Sequence, residues 1–319
     1  MQASIQLGLN LPASGIRLYG PLQLSLIKRI IRRGTNVSVT GFLEMIQTQL
    51  PVMSLTAAGA LGSVGLFART LSLMQLPLQM VTTGATKVLY TTFVAVRAES
   101  AKLERGVRSL VELTSGMVVP ICAGVIFARH DVIAVVLGPR WTDANPLVPL
   151  VAVGAACSVL SHVLALVGEA TLQLTARFWI QLGVTATTGA ILFVLRNRGA
   201  EGAAVGFMAG SGLFLATQMA LCASVLKLRP IKLLHWLAPS FAAAILVAIY
   251  IEATLVFGES WPAALRLVVE ITGSSIALGL FYLWAVPGPI GRIVALSGIE
   301  SAKLSWFARV NRAAVSSGG

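Results

Sequence analysis

Apolar runs about twenty residues long recur along almost the whole chain, and that length matches one helical crossing of a bilayer. They fall at 39–61, 71–93, 109–128, 146–168, 178–195, 203–226, 237–257 and 265–286. In hydrocarbon every backbone polar group needs an internal partner, which leaves helices or a closed barrel as spanning structures. Barrel strands would read as about ten residues of strict alternation, and the runs here do not alternate. Composition agrees. Charged residues make up 11% of the 319, hydrophobic residues 56%, and the mean hydropathy is +0.84. A soluble domain carries roughly 25% charge. The expected fold is therefore an all-α integral membrane protein with about eight transmembrane helices.

A net charge of +12 would suggest nucleic acid for a soluble protein. Here the basic residues border apolar runs, so they report topology and no nucleic-acid partner is implied. With eight spans and a cytoplasmic N-terminus, 17 of the 24 Lys and Arg fall on the side of the termini. Six fall on the other side, and Lys87 lies within a span. The positive-inside rule then places both termini in the cytoplasm. Leu24–Arg33 is basic and amphipathic, and is expected to lie on the cytoplasmic surface. Met1–Tyr19 lacks the charged start and apolar run of a signal peptide. The resulting organisation is a basic lead-in at 1–35, a helical bundle at 36–230, two further transmembrane helices at 231–290 and a cytoplasmic tail at 291–319.

Polar residues inside spans are costly and mark candidate sites. Gln75, Gln79, Thr83 and Lys87 follow at i, i+4 spacing and share one face of the second span. Such a stripe suits a water-filled cavity or polar residues of another helix. Glu44, Gln47 and Thr48 share a face of the first span, and a Glu44–Lys87 ion pair is conceivable. The alternative is that Lys87 snorkels to the interface while Glu44 sits at water level. Glu112 reads as a headgroup-level residue, His162 as hydrogen-bonded to a neighbour, and Glu270 as an i, i+4 partner of Arg266. Gly202, Gly206 and Gly210 line one face of the sixth span and favour close helix packing, as do Gly59, Gly62 and Gly65 near the first. Cys122, Cys157 and Cys222 lack metal-ligand spacing and read as packing residues. The chain shows no metal-binding acidic pair, no HExxH, no GxSxG with partners and no P-loop. An enzyme is the least favoured reading, and no cofactor is implied.

Four further stretches carry a resemblance. They are Leu26–Gly34 (LIKRIIRRG); Leu61–Arg69 (LGSVGLFAR) leading to Leu76–Gln79 (LPLQ) and Lys87–Tyr90 (KVLY); Leu137–Trp141 (LGPRW) followed by Asn145–Val151 (NPLVPLV); and Gly199–Gly206 (GAEGAAVG). In order and spacing from Leu26 to about Pro230, the chain resembles the C-terminal part of bacterial O-antigen and exopolysaccharide flippases (Wzx-like). These belong to the multidrug/oligosaccharidyl-lipid/polysaccharide superfamily. Thr91 stands where such proteins usually have proline.

The resemblance implies one lobe plus the last two helices of a fourteen-helix transporter, with a missing or separate N-terminal lobe. It implies flipping of undecaprenyl-diphosphate-linked oligosaccharide across the inner membrane for polysaccharide or lipopolysaccharide biosynthesis, beside polysaccharide assembly proteins. By the resemblance, Arg69 and Lys87 occupy cavity positions where cations hold the diphosphate; the polar stripes read from spacing add Gln75, Gln79, Thr83, Glu44 and Gln47 as candidate cavity residues. Competing readings are a non-transporting degenerate lobe, a multidrug or lipid II exporter of the same superfamily, and a membrane-bound polysaccharide enzyme.

Overall fold

The computed structural model describes residues 24–96, 100–171, 174–258 and 260–285, and all of its regular elements there are helical. Eight long helices follow in order: α1 (Leu24–Ala57), α2 (Leu61–Val96), α3 (Ser100–Phe127), α4 (Leu147–Ala170), α5 (Leu174–Leu195), α6 (Gly199–Leu226), α7 (Pro230–Phe257) and α8 (Ala263–Ala285). Each overlaps one of the eight apolar runs. The α3–α4 connector is itself helical: a single turn at Arg129–Val132, a π-helical stretch at Ile133–Leu137 and a 3-10 stretch at Pro139–Ala144. The chain is an all-α membrane protein. The tail at 291–319 and residues 1–23 lie outside the described residues.

Two expectations are modified. Among the described residues, five stretches are long and apolar enough to cross a membrane: Glu104–Phe127, Leu147–Gly168, Thr175–Leu226, Ile231–Phe257 and Ala263–Tyr282. The third is 52 residues long and runs through both α5 and α6. Neither α1 nor α2 is among the five. Glu44, Gln47, Thr48 and Gln49 lower the apolarity of α1, although its length is ample. The basic segment Leu24–Arg33 is also not a separate surface helix. It is the first part of the continuous 34-residue α1, which runs on through Gly34 and Asn36 into the first apolar run. At 1.5 Å per residue α1 is about 51 Å long, so the expected boundary at 35/36 falls inside it.

Pairing of α4 with α6 forms the centre of the bundle. Gly154 of α4 faces Phe207, and a Cβ there would come 2.6 Å from that ring. On its other side α6 meets α5 through the glycine row. A Cβ on Gly206 would strike the Leu192 side chain, and one on Gly210 would strike Thr188. This row therefore serves close packing. Gly59, Gly62 and Gly65 do not: a Cβ on any of them meets nothing within 4 Å. Gly59 instead ends α1 at φ +72°, a left-handed conformation glycine adopts without strain.

Two apolar cores flank the α4–α6 pair. One joins Leu55, Phe67, Met74, Val118, Cys122, Val151 and Phe207 from α1, α2, α3, α4 and α6. The other joins Val107, Leu110, Leu160, Leu164, Cys222 and Trp236 from α3, α4, α6 and α7. Cys122 and Cys222 are thus core residues and Cys157 is half-buried, all as free thiols. Because Leu233, Trp236 and Leu237 enter the second core, α7 shares the bundle's interior. Ser115 of α3 and Ser240 of α7 hydrogen-bond at 2.8 Å. Outermost is α8, held by Tyr282 donating to the Gly116 carbonyl at 3.0 Å and by Arg266 donating to both carboxylate oxygens of the connector's Asp131.

The glycine row gives a direct stability test. Gly206→Ala should lower the stability of the detergent-solubilised protein by about 1–3 kcal/mol, as overpacking does, whereas Gly62→Ala, which faces open space, should leave the melting temperature unchanged or raised.

Candidate functional site

Polar side chains of α1 meet α5, a helix parallel to it. Arg177 Nη2 donates to Glu44 Oε1 at 2.6 Å, and one turn on Gln181 Nε2 donates to Gln47 Oε1 at 2.5 Å. Both α5 residues are buried; Arg177 is 7% exposed and Gln181 fully enclosed. Gln181 also reaches Thr185 at 3.5 Å. Along α5 the sequence Arg177, Gln181, Thr185, Thr188 keeps i, i+4 or i, i+3 spacing, so these residues form one polar face turned toward α1 and α6.

These pairs border a small internal chamber between α1, α4, α5 and α6. Glu44, Gln47 and Thr48 line it from α1, His162 and Ser158 from α4, Thr188 from α5, and Ser211 with Phe207 and Phe214 from α6. It encloses about 20 Å³, room for about one water molecule. The chamber does not accommodate a sugar. His162 donates through Nδ1 to the Ser158 carbonyl at 2.6 Å and stands edge-on to Phe214 at 5.7 Å, so its local partner is a neighbour on its own helix, as expected. Gln218 of α6 is 1% exposed, and neither of its amide atoms has a hydrogen-bond partner among the described residues. The Gln181 Oε1 atom is likewise unpartnered. Unpartnered amide atoms of α5 and α6 therefore lie inside the bundle.

On α2 the stripe lies elsewhere. Arg69, Ser72, Gln75 and Gln79 are exposed, while Phe67, Thr70, Leu73, Met74 and Leu78 turn to the core. Arg69 stands over the Trp141 ring at 6.0 Å to the centroid, at the reach of a cation–π contact. Two stretches far apart in sequence, LGSVGLFAR and LGPRW, thereby meet at one end of the bundle. Thr83 and Lys87 continue α2, but their side chains lie outside the described residues. The conceivable Glu44–Lys87 pair falls outside the described residues; the structure pairs Glu44 with Arg177. It thus brings Glu44 and Gln47 together on α5, and places Arg69, Gln75 and Gln79 on a separate exposed face.

Two outlying acids also resolve. Glu112 accepts from Arg108 at 2.6 Å, one turn earlier on α3. Glu270 does not pair with Arg266 as its spacing suggested, because Asp131 takes that guanidinium in a bidentate contact, the strongest geometry available to it. Glu270 is left 2% exposed, with both oxygens unpartnered among the described residues.

Sequence reasoning missed Arg177 and Gln181. Arg177 falls in a short loop between apolar runs and reads as a topological charge. The spacing of 177, 181, 185 and 188 is the same signal that marks the α2 stripe, and would have revealed the α5 face. No group of three His, Cys, Asp or Glu among the described residues is placed to hold a metal. The site's chemistry is one of ion pairing and hydrogen bonding.

The sequence model of a family described as polysaccharide biosynthesis protein matches residues 1–146. That segment contains α1, α2, α3 and the connector, and with them Glu44, Gln47, Arg69, Gln75, Gln79, Thr83 and Lys87. The match ties this part of the chain to polysaccharide biosynthesis proteins. No curated protein and no solved structure matches the chain.

Removing one partner of a buried ion pair strands the other. Arg177→Ala should cost about 3 kcal/mol, the low end of the range for such pairs, because the Glu44 side chain keeps 21% exposure. Adding Glu44→Gln to Arg177→Ala should recover part of that loss in a double-mutant cycle on the unfolding free energy.

Proposed function

We propose that the chain moves an undecaprenyl-diphosphate-linked oligosaccharide across the bacterial inner membrane for polysaccharide or lipopolysaccharide biosynthesis. It acts as one lobe of a flippase, alongside a second lobe and polysaccharide assembly proteins, with both termini in the cytoplasm. One observation carries most weight. The helix with the exposed polar face, α2, lies within the segment that matches polysaccharide biosynthesis proteins. A diphosphate crossing apolar space needs charge-assisted partners, and Arg69 and Lys87 supply cations toward opposite ends of α2. Gln75, Gln79 and Thr83 lie between them and offer neutral hydrogen bonds along the path. Glu44 and Gln47 enter this reading as residues that hold α1 against α5 beside the path, since the chamber they border takes about one water. The chemistry is translocation without covalent change to the glycan.

A second reading has its own support. With Glu44 neutralised internally and the interior packed, the chain is also consistent with a lobe that folds in the membrane but does not transport.

Charge removal separates the two. Each charge-assisted hydrogen bond is worth about 1.5–3 kcal/mol. Arg69→Ala and Lys87→Ala should therefore each lower surface polysaccharide on the order of ten- to hundredfold, with membrane levels of the protein unchanged, and Arg69→Lys should retain part of the export. Normal surface polysaccharide in both alanine variants would overturn the assignment of these residues and favour the second reading.

A further inference from the structure

Beyond the Glu44–Arg177 and Gln47–Gln181 contacts, α1 and α5 line an open groove. Above the Gln47–Gln181 contact the two parallel helices leave a groove of about 660 Å³. Small residues line it: Ser54 and Ala57 of α1, Ala58 just past its end, and Gly189 of α5. A Cβ on Gly189 would meet nothing within 4 Å, so the width there comes from the missing side chain and not from a neighbour it must avoid. Leu50, Met53 and Leu192 make the walls apolar. The groove runs alongside Ala57, eight residues or about 12 Å of helix beyond Gln49.

At one end the chemistry changes. Phe193, Arg196 and Asn197 form the mouth, and the Arg196 guanidinium lies over the Phe193 ring at 4.5 Å. The apolar run of α5 ends at Leu195, and Arg196–Arg198 form a 3-10 turn of exposed polar residues. The mouth thus sits where hydrocarbon gives way to headgroups, and Arg196 is held there by the ring beneath it. A cation and an amide at the rim of a narrow apolar groove complement one kind of molecule: a long hydrocarbon chain ending in a phosphate.

We propose that the α1–α5 groove binds one chain of an anionic membrane phospholipid, with its phosphate held by Arg196 and Asn197. The bound lipid fills the space between two helices that otherwise touch through the Glu44–Arg177 and Gln47–Gln181 contacts, and so completes the seating of α1.

The full chain would be reconstituted in vesicles of equal phosphatidylglycerol and phosphatidylcholine, re-extracted in mild detergent, and its retained phospholipid quantified by mass spectrometry. The wild-type chain should retain the anionic lipid with a preference of about fivefold, the effect of one basic residue at a membrane surface. Arg196→Gln should bring that preference close to one with total retained lipid little changed. Gly189→Leu fills the groove from α5 and should reduce retention of both lipids; Ser54→Leu fills it from α1 and decides the matter if Gly189→Leu fails to fold. Inorganic phosphate should not displace the lipid. Equal retention of the two lipids by wild type, undiminished retention in the groove-filling variants, or displacement by inorganic phosphate would each overturn the proposal.

Discussion

An uncompensated carboxylate and two amides cannot cross hydrocarbon at acceptable cost, and α1 carries all three. Its placement in the bundle depends on α5 supplying Arg177 to Glu44 and Gln181 to Gln47. Much of the architecture follows from that pairing. The polar face of α5 has to turn inward, so its neighbour α6 approaches α5 with glycines, and Gly206 and Gly210 seat against Leu192 and Thr188. The same face leaves the small polar chamber at the junction of α1, α4, α5 and α6, and lets the two helices diverge beyond it into the apolar groove. Polar satisfaction at one end and a lipid-facing groove at the other are two consequences of one helix pair.

A second charged contact plays the corresponding part at the periphery. Asp131 on the connector and Arg266 in the first turn of α8 form a bidentate pair, which ties the outermost helix to the junction of α3 and α4. Tyr282 secures its other end on Gly116. Between these two links α8 packs on α7, where Tyr250 seats against Gly273 and donates to the Val269 carbonyl and Leu278 joins Val247 and Ile251. By contrast α7 enters the core through Trp236. Arg69, Gln75 and Gln79 of α2 are exposed, and Arg69 reaches the Trp141 ring of the connector.

Helix positions were legible because each apolar run has the length of a crossing and is bounded by charge or glycine. Packing of Gly202, Gly206 and Gly210, and of Cys122 and Cys222, was legible from spacing and polarity alone. Partner choice was not. Glu44 takes Arg177, 133 residues away, a partner that read from sequence only as a loop charge. Glu270 and Arg266 have the right helical spacing, but a bidentate contact to Asp131 outcompetes a single local one. The lead-in Leu24–Arg33 looked separable by charge, yet the helix continues through Gly34 and Asn36 into the first apolar run. Sequence spacing reveals which residues share a face; it does not reveal which helix that face meets.

The decisive question is whether α1 crosses the membrane on the strength of its polar partnership with α5, since its apolarity alone does not mark it as a span. Val39 and Ala58 are both exposed, and the nineteen residue steps from one to the other cover about 28 Å, close to the hydrocarbon thickness of about 30 Å. Single cysteines at these positions, in a chain whose native cysteines are replaced, can be labelled with a membrane-impermeant maleimide from either side of sealed vesicles. Labelling of Val39→Cys from one side and Ala58→Cys from the other is the predicted result. Labelling of both from the same side would contradict it and place α1 on the membrane surface.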